Sequence, residues 1–158
     1  MARSAVKSPS LVCKSASLAA LMLSLAATSA MAQAHFASSV SYGAGITPNS
    51  IVSGDFNGDG RIDLITSNPA DPSGVGADLT IMLGNGNGTF GAAASIPAGS
   101  QPIFVATGHF DAGPSLDLAV VNGGIDGISI LLGNGDGTFG AANLVTTAND
   151  LRRLALGD

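Results

Sequence analysis

Two nine-residue stretches, Met82-Leu83-Gly84-Asn85-Gly86-Asn87-Gly88-Thr89-Phe90 and Leu131-Leu132-Gly133-Asn134-Gly135-Asp136-Gly137-Thr138-Phe139, are nearly the same sequence set 49 residues apart. Self-similarity at such an interval marks a chain built from copies of one supersecondary unit, and it outranks any local preference. A shorter step carries the same register: Tyr42-Gly43-Ala44, Phe90-Gly91-Ala92 and Phe139-Gly140-Ala141 are spaced by 48 and 49 residues. Cut at that step, the chain divides into a lead-in at 33–41, repeat 1 at 42–89, repeat 2 at 90–138 and a partial repeat 3 at 139–158.

Within each unit, runs rich in β-branched and other apolar residues alternate with Gly/Asn/Asp/Pro clusters, the pattern of short strands joined by turns. The first unit predicts strands at 50–54, 63–68, 79–83 and 90–96, and the second at 103–108, 116–122, 127–132 and 139–146. Four short strands per unit is the composition of a β-propeller blade. The Leu-Gly-Asn-Gly stretches read as tight hairpins, where glycine and Asn/Asp tolerate positive φ. A stretch such as Leu116-Asp117-Leu118-Ala119-Val120-Val121 is apolar enough for an inner strand covered on both faces. The fold class expected is therefore all-β, with two propeller-type four-stranded blades and part of a third. Propellers close with four to eight blades, so the chain reads as the front end of a longer protein, or as one that completes its ring by association.

One loop in that frame carries chemistry. Asp55-Phe56-Asn57-Gly58-Asp59-Gly60-Arg61-Ile62-Asp63 places oxygen-bearing side chains at alternate positions, with Gly60 where the chain must turn. Ca²⁺ is a hard cation that takes six to eight oxygens, and this spacing supplies them. Asp55, Asn57 and Asp59 sit at positions one, three and five, the Arg61 carbonyl at seven and Asp63 at nine. An EF-hand has the same opening spacing, yet position twelve here is Thr66 where that motif needs Glu, and both flanks look like strands. The plain alternative is a solvated Asp/Asn/Gly turn without metal. Three carboxylates within nine residues repel one another without a cation, which favours the calcium loop. In the second unit the corresponding positions hold His109, Asp111, Gly113 and Asp117, and Pro114 replaces the turning glycine. Two carboxylates make a poor calcium site, so that loop reads as structural and His109 as a surface residue.

The N-terminal fifth differs in kind. Arg3, Lys7 and Lys14 precede an apolar run from 16 to 27 that leads to Ala30-Met31-Ala32. This is the layout of a secretory signal peptide, 1–32, with the cut after Ala32 and Ala30 or Ala34 as neighbouring choices. The run is shorter than the roughly 20 apolar residues that span a bilayer. The single cysteine, Cys13, leaves with the signal, so the remaining chain has no disulfide. All eleven acids are Asp and lie beyond residue 32, against Arg61, Arg152 and Arg153, for a net charge of −8 over 33–158. That balance excludes an electrostatic nucleic-acid binder.

The residues from Gly54 to Leu64, followed by Leu83-Gly84-Asn85-Gly86-Asn87-Gly88-Thr89-Phe90-Gly91, resemble an FG-GAP repeat of the integrin-alpha type, in its VCBS-like variety. The likeness covers about residues 40–158. It implies a β-propeller with calcium in the hairpin between the first two strands of a blade, on Asp55, Asn57, Asp59, the Arg61 carbonyl and Asp63. The second unit departs at His109, Gly113 and Pro114.

The function expected is an exported, non-catalytic calcium-binding module for ligand binding or cell-surface adhesion, located outside the cell, on its surface or in the periplasm. Its partners would be calcium, an extracellular protein or glycan, and further blades in the same or another chain. The alternative is the N-terminal propeller portion of a larger secreted carbohydrate-active enzyme, since similar repeats accompany lyases and hydrolases. The visible residues offer no catalytic set: there is no Glu, two scattered His and no Gly-x-Ser-x-Gly elbow. A β-roll of calcium-binding nonapeptides is excluded by the missing nine-residue period.

Overall fold

The computed structural model describes residues 38–70, 77–124, 127–146 and 151–157. The segment 1–32, read from the sequence as a signal peptide, lies outside the described residues, as do 147–150 and Asp158. Ser41–Asp158 forms one compact unit, distinct from Met1–Val40, and the description below concerns that unit.

Eight strands form two antiparallel four-stranded sheets, with no helix among the described residues. The first blade contains β1 (Ser50–Gly54), β2 (Asp63–Asn68), β3 (Asp78–Met82) and β4 (Ala94–Ile96); the second contains β5 (Pro102–Gly108), β6 (Asp117–Asn122), β7 (Gly127–Leu131) and β8 (Asn143–Thr146). Each sheet follows chain order, β1-β2-β3-β4 and β5-β6-β7-β8. This is the up-and-down arrangement of propeller blades.

Register follows from the sequence pattern. Gly54 pairs with Asp63 and Gly108 with Asp117, so the two Asp residues stand at the mouths of equivalent hairpins. The inner strand β6 is buried at every residue, as its apolar run demands. The fourth strands are shorter than their sequences suggest. Phe90 and Phe139 make only isolated bridges, to Gly84 and Gly133, and regular pairing resumes at Ala94 and Asn143. The cause is the small-residue step between them: Gly91 and Gly140 close their hairpins by donating to the Leu83 and Leu132 carbonyls, at 2.7 and 2.8 Å, and the strand restarts beyond. Because β4 pairs with β3, the strand that follows Phe90 closes the first blade.

The blades pack face to face. Val52, Phe56, Ile65, Leu79, Ile81 and Ile96 of the first meet Val105, Leu116, Leu118, Val120, Leu131 and Phe139 of the second in one core. At the first strand of each blade, the Asn49 amide donates to the Ile103 carbonyl at 2.9 Å. The two copies keep 49-residue spacing at the Gly84 and Gly133 hairpins but 54-residue spacing from Gly54 to Gly108. The connection between β2 and β3 has nine residues and that between β6 and β7 has four, which accounts for the difference of five.

Candidate metal centre

The loop between β1 and β2 is held by its own polar side chains. Asp55 Oδ1 accepts from the N–H groups of Gly58 and Asp59 at 2.8 and 3.1 Å, and its Oδ2 from Gly60 at 2.8 Å. Asn57 Oδ1 accepts from Asp59 N–H at 3.1 Å, and the Asn57 amide donates to Asp59 Oδ2 at 3.2 Å. Asp59 Oδ1 accepts from Arg61 N–H at 2.9 Å, while the Arg61 guanidinium stands 3.6 Å from Asp59 Oδ2. Such local bonds are what short Asx side chains form when backbone N–H groups are left over by a turn. Gly58 and Gly60 adopt φ of 73° and 78°, the left-handed region that this curl requires.

Asp63 does something different. It is fully buried, and its two carboxylate oxygens accept from two distant backbone groups: Oδ2 from Phe56 N–H at 2.9 Å and Oδ1 from Gly84 N–H at 2.8 Å. One side chain thereby ties the β1–β2 loop to the β3–β4 hairpin. Gly84 must be glycine for this contact, since a Cβ there would stand 2.1 Å from the Ile62 carbonyl oxygen.

The second blade repeats the tie and one of the loop's local bonds, Gly113 N–H on Asp111 Oδ1 standing for Asp59 N–H on Asn57 Oδ1. Asp117 accepts from Phe110 N–H at 2.6 Å and Gly133 N–H at 2.8 Å, and a Cβ on Gly133 would lie 2.2 Å from the Leu116 carbonyl oxygen. Only the histidine brace is new to this loop. The exposed His109 ring donates from Nδ1 to the Ser115 carbonyl at 2.9 Å, and Gly113 N–H donates to Asp111 at 2.6 Å.

Of the five residues that the sequence assigns to calcium, the structure links Asp55, Asn57, Asp59 and Arg61 into one exposed turn and turns Asp63 inward beneath it. Among the described residues no group of three or more His, Cys, Asp or Glu side chains converges in a metal-binding arrangement. The donor chemistry fits a hard cation: all the donors are oxygens, and Asp55 Oδ2, Asp59 Oδ1 and both Asp63 oxygens each accept one N–H bond and keep a second acceptor site. A groove of about 580 Å³ runs beside the loop, lined by Asp59, Arg61, Ile62, Gly86, Thr89 and Phe90.

Sequence reasoning missed the tie and a second repeated contact. Asn68 and Asn122, each about 1% exposed, donate to Thr80 Oγ1 and Ser129 Oγ at 2.9 and 2.7 Å. Gly45 and Gly99, at φ of 94° and 121°, cross against these amides, where a Cβ would come within 2.5 and 2.6 Å. The recurrence of Asn and Gly at 54-residue spacing was the available signal.

Residues 47–89 match the model of the FG-GAP repeat family. The match spans β1, the loop, β2, β3 and the hairpin that Asp63 ties. No curated protein matches the chain.

Proposed function

With an FG-GAP repeat in the first blade as the premise, we infer that the chain is an exported, non-catalytic calcium-binding repeat module whose blades serve ligand binding or adhesion outside the cell. The observation that carries this reading is the loop 55–63, which concentrates oxygen donors inside the matched repeat. Asp55, Asn57 and Asp59 would hold the ion with the Arg61 carbonyl, and Asp63 would join them through its remaining acceptor sites. Bound calcium would neutralise the clustered carboxylates and stiffen the loop. The organisation proposed is a signal peptide at 1–32, a lead-in at 33–41, repeats at 42–89 and 90–138, and a partial repeat at 139–158. Export rests on the signal-like N-terminus; no helix among the described residues is long and apolar enough to cross a membrane. An extracellular protein or glycan is the partner class that suits such a module.

The test is thermal unfolding of the chain with millimolar calcium and with chelator, beside Asp59→Asn. This variant keeps the loop's shape and removes one charge, whereas a change at Asp63 would also break the tie. Extracellular calcium modules bind at roughly 10⁻⁴ to 10⁻³ M. Calcium should raise the midpoint of the wild type and raise that of Asp59→Asn less. An identical midpoint with calcium and with chelator would exclude the site.

A further inference from the structure

Beyond residue 32 the chain has three arginines and no lysine, and two of the three, Arg152 and Arg153, are adjacent. They belong to a segment that repeats the opening of a blade. Gly54, Gly108 and Gly157 are equivalent, so counting back from each sets Asn49-Ser50, Ile103-Phe104 and Arg152-Arg153 at one level of three successive segments. The packing agrees. Leu156 lies against Gly108, and those six residues line a single cavity of about 280 Å³.

The wall of this cavity departs from regular pairing. β1 and β2 pair in unbroken register, whereas the β5–β6 ladder slips at Ile103, between the pairs Pro102–Asn122 and Phe104–Val121. Bulges of this kind re-aim the residues around them and are frequent beside functional sites. Here the Ile103 carbonyl accepts from the Asn49 amide at 2.9 Å, which bridges the two strands and leaves the Asn49 carbonyl oxygen as an acceptor. Ser50 Oγ receives Val105 N–H at 3.5 Å and keeps its own hydrogen to donate. Ile103 and Phe104 are half-buried and supply an apolar side.

We propose that this cavity binds a small hydroxylated carboxylate of the sugar-acid class. The planar fork of an arginine matches a carboxylate in two parallel bonds, and the Ser50 hydroxyl adds a third donor. Asn49 Oδ1 accepts from a ligand hydroxyl, and Phe104 covers the C–H face of a sugar ring. A bare sulfate or phosphate would satisfy the arginines alone; the amide, the hydroxyl and the aromatic ring favour a ligand with hydroxyls and a C–H face as well. With a net charge of −8 over 33–158, the rest of the chain repels such an anion, so its binding is local to this pair. No residue of the loop 55–63 takes part, so this site and the calcium reading can fail independently.

The experiment is isothermal titration calorimetry of the full chain in calcium-free buffer, with glucuronate, glucose and inorganic sulfate as probes. Glucuronate should bind about tenfold or more tightly than glucose or sulfate. Arg153→Gln removes an exposed charge away from the core and should weaken glucuronate about tenfold or more. Arg153→Lys should recover only part of the loss, because the charge returns without the fork. Ser50→Ala and Phe104→Leu should each weaken glucuronate by a smaller factor, and a circular-dichroism spectrum like that of the wild type separates lost binding from lost fold. The proposal is overturned if glucuronate does not bind or binds no better than glucose, if sulfate binds as tightly, which would make the pair a general anion site only, or if a folded Arg153→Gln binds glucuronate as the wild type does.

Discussion

The loops 55–63 and 109–117 occupy the same place in successive blades and share a buried device. In each, an Asp at the start of the second strand accepts one N–H from its own loop and one from the neighbouring hairpin, across from a glycine that admits no Cβ. One local bond recurs as well, from Asp59 N–H to Asn57 and from Gly113 N–H to Asp111, and the rest differs. The first loop curls around Asp55, Asn57 and Asp59, while the second is braced by a histidine and holds Pro114 in the turn. Since the tie persists where the equivalents of Asp55 and Asp59 are His109 and Gly113, its mechanical role is separable from metal binding.

The sharpest way to break this comparison is to remove the tie from each blade in turn with chelator present. A hydrogen bond to a charged group contributes about 1.5–3 kcal/mol, and two buried N–H groups lose their acceptor. Asp63→Ala and Asp117→Ala should each destabilise the chain by about 3–5 kcal/mol in denaturant unfolding. A large loss at Asp63 with none at Asp117 would refute the shared role. Calcium should separate the loops next. At a hundredfold excess over Kd the ion adds about 2.7 kcal/mol to the wild type. That gain should persist in His109→Ala and shrink in Asp59→Asn, so a loss in His109→Ala would place the effect in the wrong loop.

Overpacking tests the glycines opposite the ties. Gly84→Ala and Gly133→Ala force a methyl into a backbone carbonyl and should each cost about 1–3 kcal/mol, equally in the two blades. The smallest effect concerns the hairpin tips. Asp136 accepts from the Thr138 hydroxyl and, at 2.9 Å, from the Thr138 N–H, and these bonds hold its carboxyl below the ordinary carboxylate range. Asn87 makes the same pair of bonds to Thr89 and carries no proton to lose or gain. A lowered folded-state pKa stabilises above the unfolded value and is lost as pH falls through the folded one. Acid should therefore weaken the second tip and leave the first unchanged. By NMR titration Thr138→Val should move Asp136 back toward its ordinary value; an unmoved titration would show that the hydroxyl is not the cause.

Six of the eight strands start within one residue of where periodicity and turn residues place them; β4 and β8 keep their ends and lose their starts. The loop residues were equally legible, because Asp55, Asn57 and Asp59 bond to N–H groups two to five residues away. Local bonding leaves a local pattern. The inward turn of Asp63 had no such trace: its partner Gly84 lies 21 residues on, so the residue read from the sequence as the last ligand is in the structure a bolt through the blade.

What the sequence determined by itself was the repeat, the strand positions and the chemistry of the first loop, since each depends on residue types within one turn or one strand. Only the tertiary structure decided which copy of an equivalent residue is buried. Phe56 and Phe110 stand in like loops, yet one is 3% exposed and the other 37%, because the second blade covers the first loop, while Leu156 is what the described residues set against Gly108 in the second. Burial belongs to the neighbour that supplies it, and the pattern of a single repeat does not encode that neighbour.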